Sequence, residues 1–220
     1  MRRVVLPALL GRALALPASA QSQYADSAGT YISTSGFTIG SGGRFGTQAQ
    51  LGRRFGNGVD VGVVGSYDRY GEDRAGWSAG AVVGLTRRAP AGTFTRLQAS
   101  ALYQNVDLAY STGDRFASSG LVGDVSATVG RSVPVVGSLR FQPTVGVYAR
   151  ASQALTLTFP DRFQDLDRFH AEAGFQAEFP LTFRLFGADA TIAPALRFAP
   201  GQDGVRARGL LPGGGLRLNF

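Results

Sequence analysis

The chain contains no cysteine and no lysine. Without cysteine, disulfide frameworks, thiolate metal sites and thiol nucleophiles are all excluded. Without lysine, all 22 basic residues are arginine, so nearly every cation is a planar, permanently charged fork. His170 is the single histidine and Trp77 the single tryptophan. Long apolar runs are missing too. A membrane-spanning helix needs about 20 mostly apolar residues. Beyond the first twenty positions the longest charge-free stretch, 27–43, is filled with Gly, Ser and Thr. No window of the chain carries convincing helical periodicity, so a glycine-rich phosphate loop would have no helix to open.

What is present begins with a leader. Arg2 and Arg3 precede an apolar stretch over 4–16, broken only by Arg12, and Ala18-Ser19-Ala20 forms a small-x-small cleavage site. This reads as a signal peptide over residues 1–20, leaving 21–220 as one mature domain. Cleavage there removes three arginines and lowers the formal charge from +7 to +4.

The rest of the chain alternates. Val59, Val61, Val63, Gly65 and Tyr67 share one face, against Asp60, Gly62, Val64, Ser66 and Asp68 on the other. That is the period of a strand. Before it, Thr47, Ala49, Leu51 and Phe55 alternate with Gln48, Gln50, Gly52 and Arg54. Gly56-Asn57-Gly58 between the two segments is a tight-turn signal. Folding about it sets Arg54 against Asp60, Phe55 against Val59 and Leu51 against Val63, charge facing opposite charge and apolar facing apolar. The pattern recurs over approximate spans 29–40, 45–55, 59–70, 76–87, 93–110, 118–132, 139–157, 166–180, 188–199 and 207–220. Connections such as 88–92 and 133–138 separate them. In the first strand Tyr31, Phe37 and Ile39 lie in phase.

The chemistry of the two faces selects the architecture. The apolar face mixes Val, Leu and Phe with many Ala and Gly, a thin set for a soluble core. The polar face holds Gly, Ser, Thr and Gln with isolated charges. Aromatic residues gather at strand ends: Phe55, Phe141, Phe179 and Phe220 at one set, Tyr67, Trp77, Tyr103, Phe169 and Phe198 at the other. Lipid outside and a polar lumen inside account for all three features. Backbone groups in hydrocarbon must all be paired, so the sheet must close. The expected fold is all-β: a transmembrane antiparallel up-and-down β-barrel of about ten strands, with eight as the alternative. Pro143 and Pro194, which donate no hydrogen bond, are expected at the membrane boundary or at bulges.

The run Gln50-Leu51-Gly52-Arg53-Arg54-Phe55-Gly56-Asn57-Gly58-Val59-Asp60-Val61-Gly62 resembles the strand–turn–strand units of small bacterial outer-membrane β-barrel proteins, the OmpA/OmpX-like porin-family type. Gly215, Leu218 and Phe220 are similar to that family's terminal assembly signal, although Leu218 stands where an aromatic residue is usual. The resemblance covers the mature chain as a pattern. It implies an outer-membrane location, insertion by the barrel-assembly machinery, and outer-membrane lipid with lipopolysaccharide as surroundings. It carries over no activity.

By phase, Arg54, Arg96, Arg140, Arg150, Arg197 and Arg217 point inward, as do Asp60, Asp68, Asp124, Glu172, Glu178 and Asp189. Six against six suggests a neutralised ion network in the lumen, anchored at Arg54–Asp60, because an unpaired charge in a narrow interior is costly. His170 and Glu172 share that face. They lack the His-x-Ser spacing of barrel-borne lipid A deacylases, which the resemblance brings into view, so His170 reads first as a lumen residue and only second as a catalytic base. The acidic segment 161–167 lacks the spacing and glycine of a calcium loop. Arg69, Arg74, Arg115, Arg162, Arg168, Arg206 and Arg208 fall at the rim opposite Gly56-Asn57-Gly58, where lipopolysaccharide phosphates are the fitting contact. No basic run suggests nucleic acid, and no cofactor or metal is expected. The expected protein is a monomeric structural or surface-interaction barrel, then a narrow weakly selective channel, then a lipid-modifying enzyme.

Overall fold

The computed structural model describes residues 28–39, 44–69, 74–109, 115–158, 169–199 and 209–220. Alternating β-branched and aromatic residues make almost all of them strand. The strands are β1 (Gly29–Ile39), β2 (Arg44–Arg54), β3 (Val59–Arg69), β4 (Arg74–Arg88), β5 (Thr93–Ala109), β6 (Arg115–Arg131) and β7 (Val133–Val136). They continue with β8 (Leu139–Phe141), β9 (Thr144–Thr158), β10 (Phe169–Glu178), β11 (Leu181–Leu185), β12 (Ala188–Ala199) and β13 (Gly209–Asn219). Every pairing is antiparallel, and β10–β12 together with β1–β13 close the sheet on itself. β7 prolongs β6, β8 leads into β9, and β11 prolongs β10. The result is a closed ten-stranded barrel, the larger of the two counts expected.

The expected hairpin register holds. Arg54 faces Asp60 and Leu51 faces Val63. At the turn Phe55 and Val59 are joined by a 2.8 Å backbone bond, Asn57 Oδ1 accepts from Val59 N at 3.1 Å, and Gly58 takes the left-handed φ of 84°.

Two connections differ from expectation. Residues 133–138, expected as a loop, largely continue the wall as β7, with a turn at Gly137-Ser138 before β8. Beyond Phe179-Pro180 the chain resumes as β11 and turns back at Phe186-Gly187, where both φ values are positive, 49° and 86°. The breaks at Ser132, Gln142-Pro143 and Phe179-Pro180 lie side by side. Arg131 N donates to Pro143 O, Gln142 N to Pro180 O, and Phe179 N to Pro194 O. Pro143 therefore sits at a strand break. Pro194 sits inside β12 opposite Gly214, and its carbonyl accepts from the neighbouring break.

Burial is inverted relative to a soluble protein. Val63 and Phe175 are each 61% exposed, whereas Asp60 and Arg217 are 0% exposed. Leu97, Val125, Val145 and Ile192 are exposed in the same phase as Val63 on their own strands. Phe55, Phe179 and Phe220 are exposed toward the turn end, and Tyr67, Trp77, Tyr103, Phe169 and Phe198 toward the other. Trp77 and Tyr103 pack with ring centroids 5.8 Å apart. This is the apolar band between two aromatic girdles that a barrel in lipid requires. Strand β1 carries a correction: Tyr31 is buried in the lumen with Ser33 and Ser35, and Ile32 is exposed, so Tyr31 does not share the apolar face.

Candidate functional site

The strand phase brings most of the expected charges into the lumen. Arg54, Asp60, Arg96, Asp124, Arg150, Glu178, Arg197 and Arg217 are buried there. Glu172 and Asp189 are half-buried, while Arg140, on the short β8 near the turn end, is exposed. His170 pairs through its backbone with Ser152 on β9. Its side chain lies outside the described residues, as do those of Asp68, of the seven arginines expected at the opposite rim, of the acidic segment 161–167, and the leader 1–20.

Asp60 is the centre of the first cluster. Its closest partner is Arg96 on β5, which reaches over β4: Nη1 donates to Oδ2 at 2.8 Å and Nη2 to Oδ1 at 2.9 Å. Arg54 adds a 3.3 Å contact from Nη2 to Oδ2. Gly84 faces Asp60 directly. A Cβ there would collide with Arg96 Nη2 and both Asp60 oxygens, so the glycine makes room for the fork. Arg96 Nη1 also donates to Thr86 Oγ1 at 2.8 Å.

Beside this pair, the Arg217 guanidinium lies 3.6 Å from the centre of the Tyr31 ring. The Tyr31 hydroxyl accepts from Gln50 Nε2 at 2.5 Å. Among the described residues, Nε, Nη1 and Nη2 of Arg217 have no hydrogen-bond partner. The charged neighbours of Arg217 are Arg54, Arg96 and Asp60, so three guanidinium groups surround one carboxylate. The balance of six against six along the chain is therefore not a local balance here. Stacking on the Tyr31 quadrupole offsets part of the cost.

A second cluster lies on β6, β9, β10 and β12. Arg197 lies 4.3 Å from the Tyr148 ring centre, and its Nη2 donates to Gln176 Oε1 at 3.2 Å. Arg150 Nε stands 3.9 Å from Asp124 Oδ1, and Ser100 Oγ donates to Asp124 Oδ2 at 3.4 Å. Arg150 is the register partner of both Asp124 and Glu172. Nearer the turn end, Gln142 donates to Ser132 Oγ and accepts from Thr182, whose hydroxyl also meets Thr191.

Several participants were not legible in the residue pattern. Tyr31 and Tyr148 serve as platforms for arginine, a role that alternation does not announce. Val64, Val82 and Leu102 form an apolar island inside the lumen, at positions whose phase is inward but whose composition is that of the lipid-facing set. Among the described residues no three His, Asp or Glu side chains converge as a metal site would require. Asp60 has both oxygens engaged by guanidinium groups, which suits a structural ion pair and not a proton carrier. The two clusters, with their tyrosines and glutamines, occupy the lumen with side chains, as narrow barrels do.

No known family profile matches the sequence, and no curated protein does. Solved structures do match. The β-domain of the Bordetella autotransporter BrkA superposes with a TM-score of 0.51 at 13% identity, covering 89% of this chain and 100% of that one. The translocator domain of the autotransporter NalP from Neisseria meningitidis gives a TM-score of 0.50 at 12% identity, covering 90% of each chain. At these identities the likeness establishes the fold: that of an outer-membrane β-barrel.

Proposed function

We propose that this chain is an integral outer-membrane barrel with a structural or surface-interaction role, non-enzymatic and monomeric, whose lumen is closed by side chains. The observation that carries the reading is the inversion of burial. A continuous band of exposed Val, Leu and Phe surrounds a lumen in which Asp60, Thr191 and Arg217 have no exposure. Water cannot favour that arrangement, whereas a bilayer does. Within this reading the aromatic girdles lie at the two lipid interfaces, the short turns at 55–58, 89–92, 137–138 and 186–187 face the periplasm, and the opposite rim meets lipopolysaccharide. Gly215, Leu218 and Phe220, on or just after β13, would be read by the assembly machinery; Phe220 is exposed, and its N–H joins Thr30 O at 2.8 Å.

The competing reading is a narrow channel. Planar-bilayer recording of the purified protein decides between them. The closed reading predicts no steady conductance above the bare membrane, and a stable open pore in the unaltered protein would overturn it. Failure to insert into lipid vesicles, with a dispersed monomer in detergent-free buffer, would remove the membrane assignment itself.

A further inference from the structure

Three arginines face away from the lumen at the turn end: Arg53 on β2, Arg87 on β4 and Arg131 on β6. Each is the next outward residue after an apolar one, namely Leu51, Leu85 and Val129. All three are exposed, and their side chains make no hydrogen bond or ion pair among the described residues. Arg53 alone has a ring partner, its guanidinium lying 5.8 Å from the Phe55 centre. Among the described residues no Asp or Glu faces outward at this rim. The edge of the apolar band thus carries unneutralised, bidentate donors at the depth where lipid headgroups begin.

Arg87 and Arg131 differ from Arg53 in what lies beside them. Their strands are separated only by β5, about 10 Å for two strand spacings. Between them stand Thr95, the register partner of Arg87, and Thr93, the partner of Arg131. Immediately toward the membrane centre, a groove of about 850 Å³ crosses the outer surface from β3 to β10. Its floor includes Ala99, Ala127 and Ala149, and its walls include Leu97, Val147 and Phe175. The small floor residues lie below the larger Leu97, Val125, Val147 and Phe175 side chains, and that difference in height makes it a groove.

We infer that Arg87 and Arg131, with the Thr95 hydroxyl, hold the phosphate of an anionic glycerophospholipid of the periplasmic leaflet, whose acyl chain lies in the alanine-floored groove. Charge complementarity selects the headgroup, and the predominantly apolar groove selects a lipid over a free anion. The inference rests on the membrane reading given above.

The test is native mass spectrometry of the full protein, released from detergent after incubation with phosphatidylglycerol or phosphatidylcholine. The unaltered protein is expected to retain one phosphatidylglycerol in preference to phosphatidylcholine. Arg87→Ala and Arg131→Ala should each lower that retention about fivefold, the weight of one basic group at a membrane surface. Ala127→Phe, which fills the groove, should lower it with both arginines in place. Arg53→Ala should leave it unchanged. Equal retention of the two lipids, or an equal loss on Arg53→Ala, overturns the site. Insertion of the same variants into phosphatidylcholine vesicles, followed by Trp77 emission, separates the two claims. Normal insertion without lipid preference defeats only this inference, while failed insertion of the unaltered protein defeats the membrane reading.

Discussion

Arg96 holds Asp60 through both terminal nitrogens, at 2.8 and 2.9 Å, although the two residues lie on strands that do not touch. β4 runs between them, and the contact passes over Gly84. An interaction of this kind braces the wall from inside. It couples β3 to β5 independently of the backbone ladder, and the weaker Arg54 contact ties β2 to the same carboxylate. Charge-assisted bidentate pairs are the strongest polar contacts a protein can build. Here they are also the ones with most to lose, because no water reaches Asp60.

Replacing Asp60 by Asn should therefore destabilise the barrel by about 3–5 kcal/mol, the cost of stranding buried partners of a removed charge. Arg54, Arg96 and Arg217 would then face one another without the Asp60 carboxylate between them. The measurement is the denaturant midpoint in lipid vesicles, read from the emission of Trp77, the only tryptophan. Asp114→Asn, between β5 and β6 in the sequence, is the comparison. Equal midpoints for the two variants would remove Asp60 from the centre of the network.

The strand-level pattern was open to reading because one face of each strand had to be apolar for lipid. Gly56-Asn57-Gly58 announced its turn because its residues tolerate left-handed backbone. Phe186-Gly187 did not, since a phenylalanine at φ 49° is an unusual choice that only the finished hairpin enforces. Pro134 disfavours a central strand at 133–136, yet an edge position tolerates it, as β7 pairs on one side only among the described residues. In the lumen, phase placed Arg54, Asp60, Arg96, Arg197 and Arg217 inside one by one. Beyond the Arg54–Asp60 pair of the hairpin register, which of them would meet was hidden, because Asp60 and Arg96 come together through the curvature of a closed sheet and not through any register pair. Tyr31 was assigned to the wrong face for a related reason. Its ring is apolar by composition, but in this lumen it serves as a surface for Arg217.

Orientation of the two faces can be tested at one position on each. Val63 faces outward on the central part of β3, and Ser126 on β6 is half-buried in the lumen. Val63→Arg should cost about 2–4 kcal/mol if that site is near the bilayer midplane. Ser126→Arg places the same group two residues from Asp124 on the inward face, where a carboxylate can receive it, and should cost far less. Folding efficiency into vesicles, followed by the mobility difference between heated and unheated samples, reports both. Comparable loss in the two variants would mean that Val63 does not face hydrocarbon.

Arg217 makes the opposite prediction from Asp60. Among the described residues its three side-chain nitrogens have no hydrogen-bond partner, two like charges stand nearby, and the Tyr31 ring, 3.6 Å away, with the shared Asp60 carboxylate compensates only in part. A buried charge in that position costs stability, and a well-packed apolar side chain of similar length avoids the cost. Arg217→Met should accordingly leave the unfolding midpoint unchanged or raise it, by as much as about 1–4 kcal/mol on the scale of other buried ion clusters. The volume is nearly preserved, so the lumen should stay closed in bilayer recordings. Arg217→Ala removes that volume beside Tyr31 at the β13–β1 seam, and it should admit small conductance steps that the methionine variant lacks. If methionine destabilises the barrel as strongly as Asp60→Asn does, Arg217 is contributing a contact that stacking on Tyr31 does not account for. If alanine is as silent as methionine, the closure of the lumen lies elsewhere than at this pair.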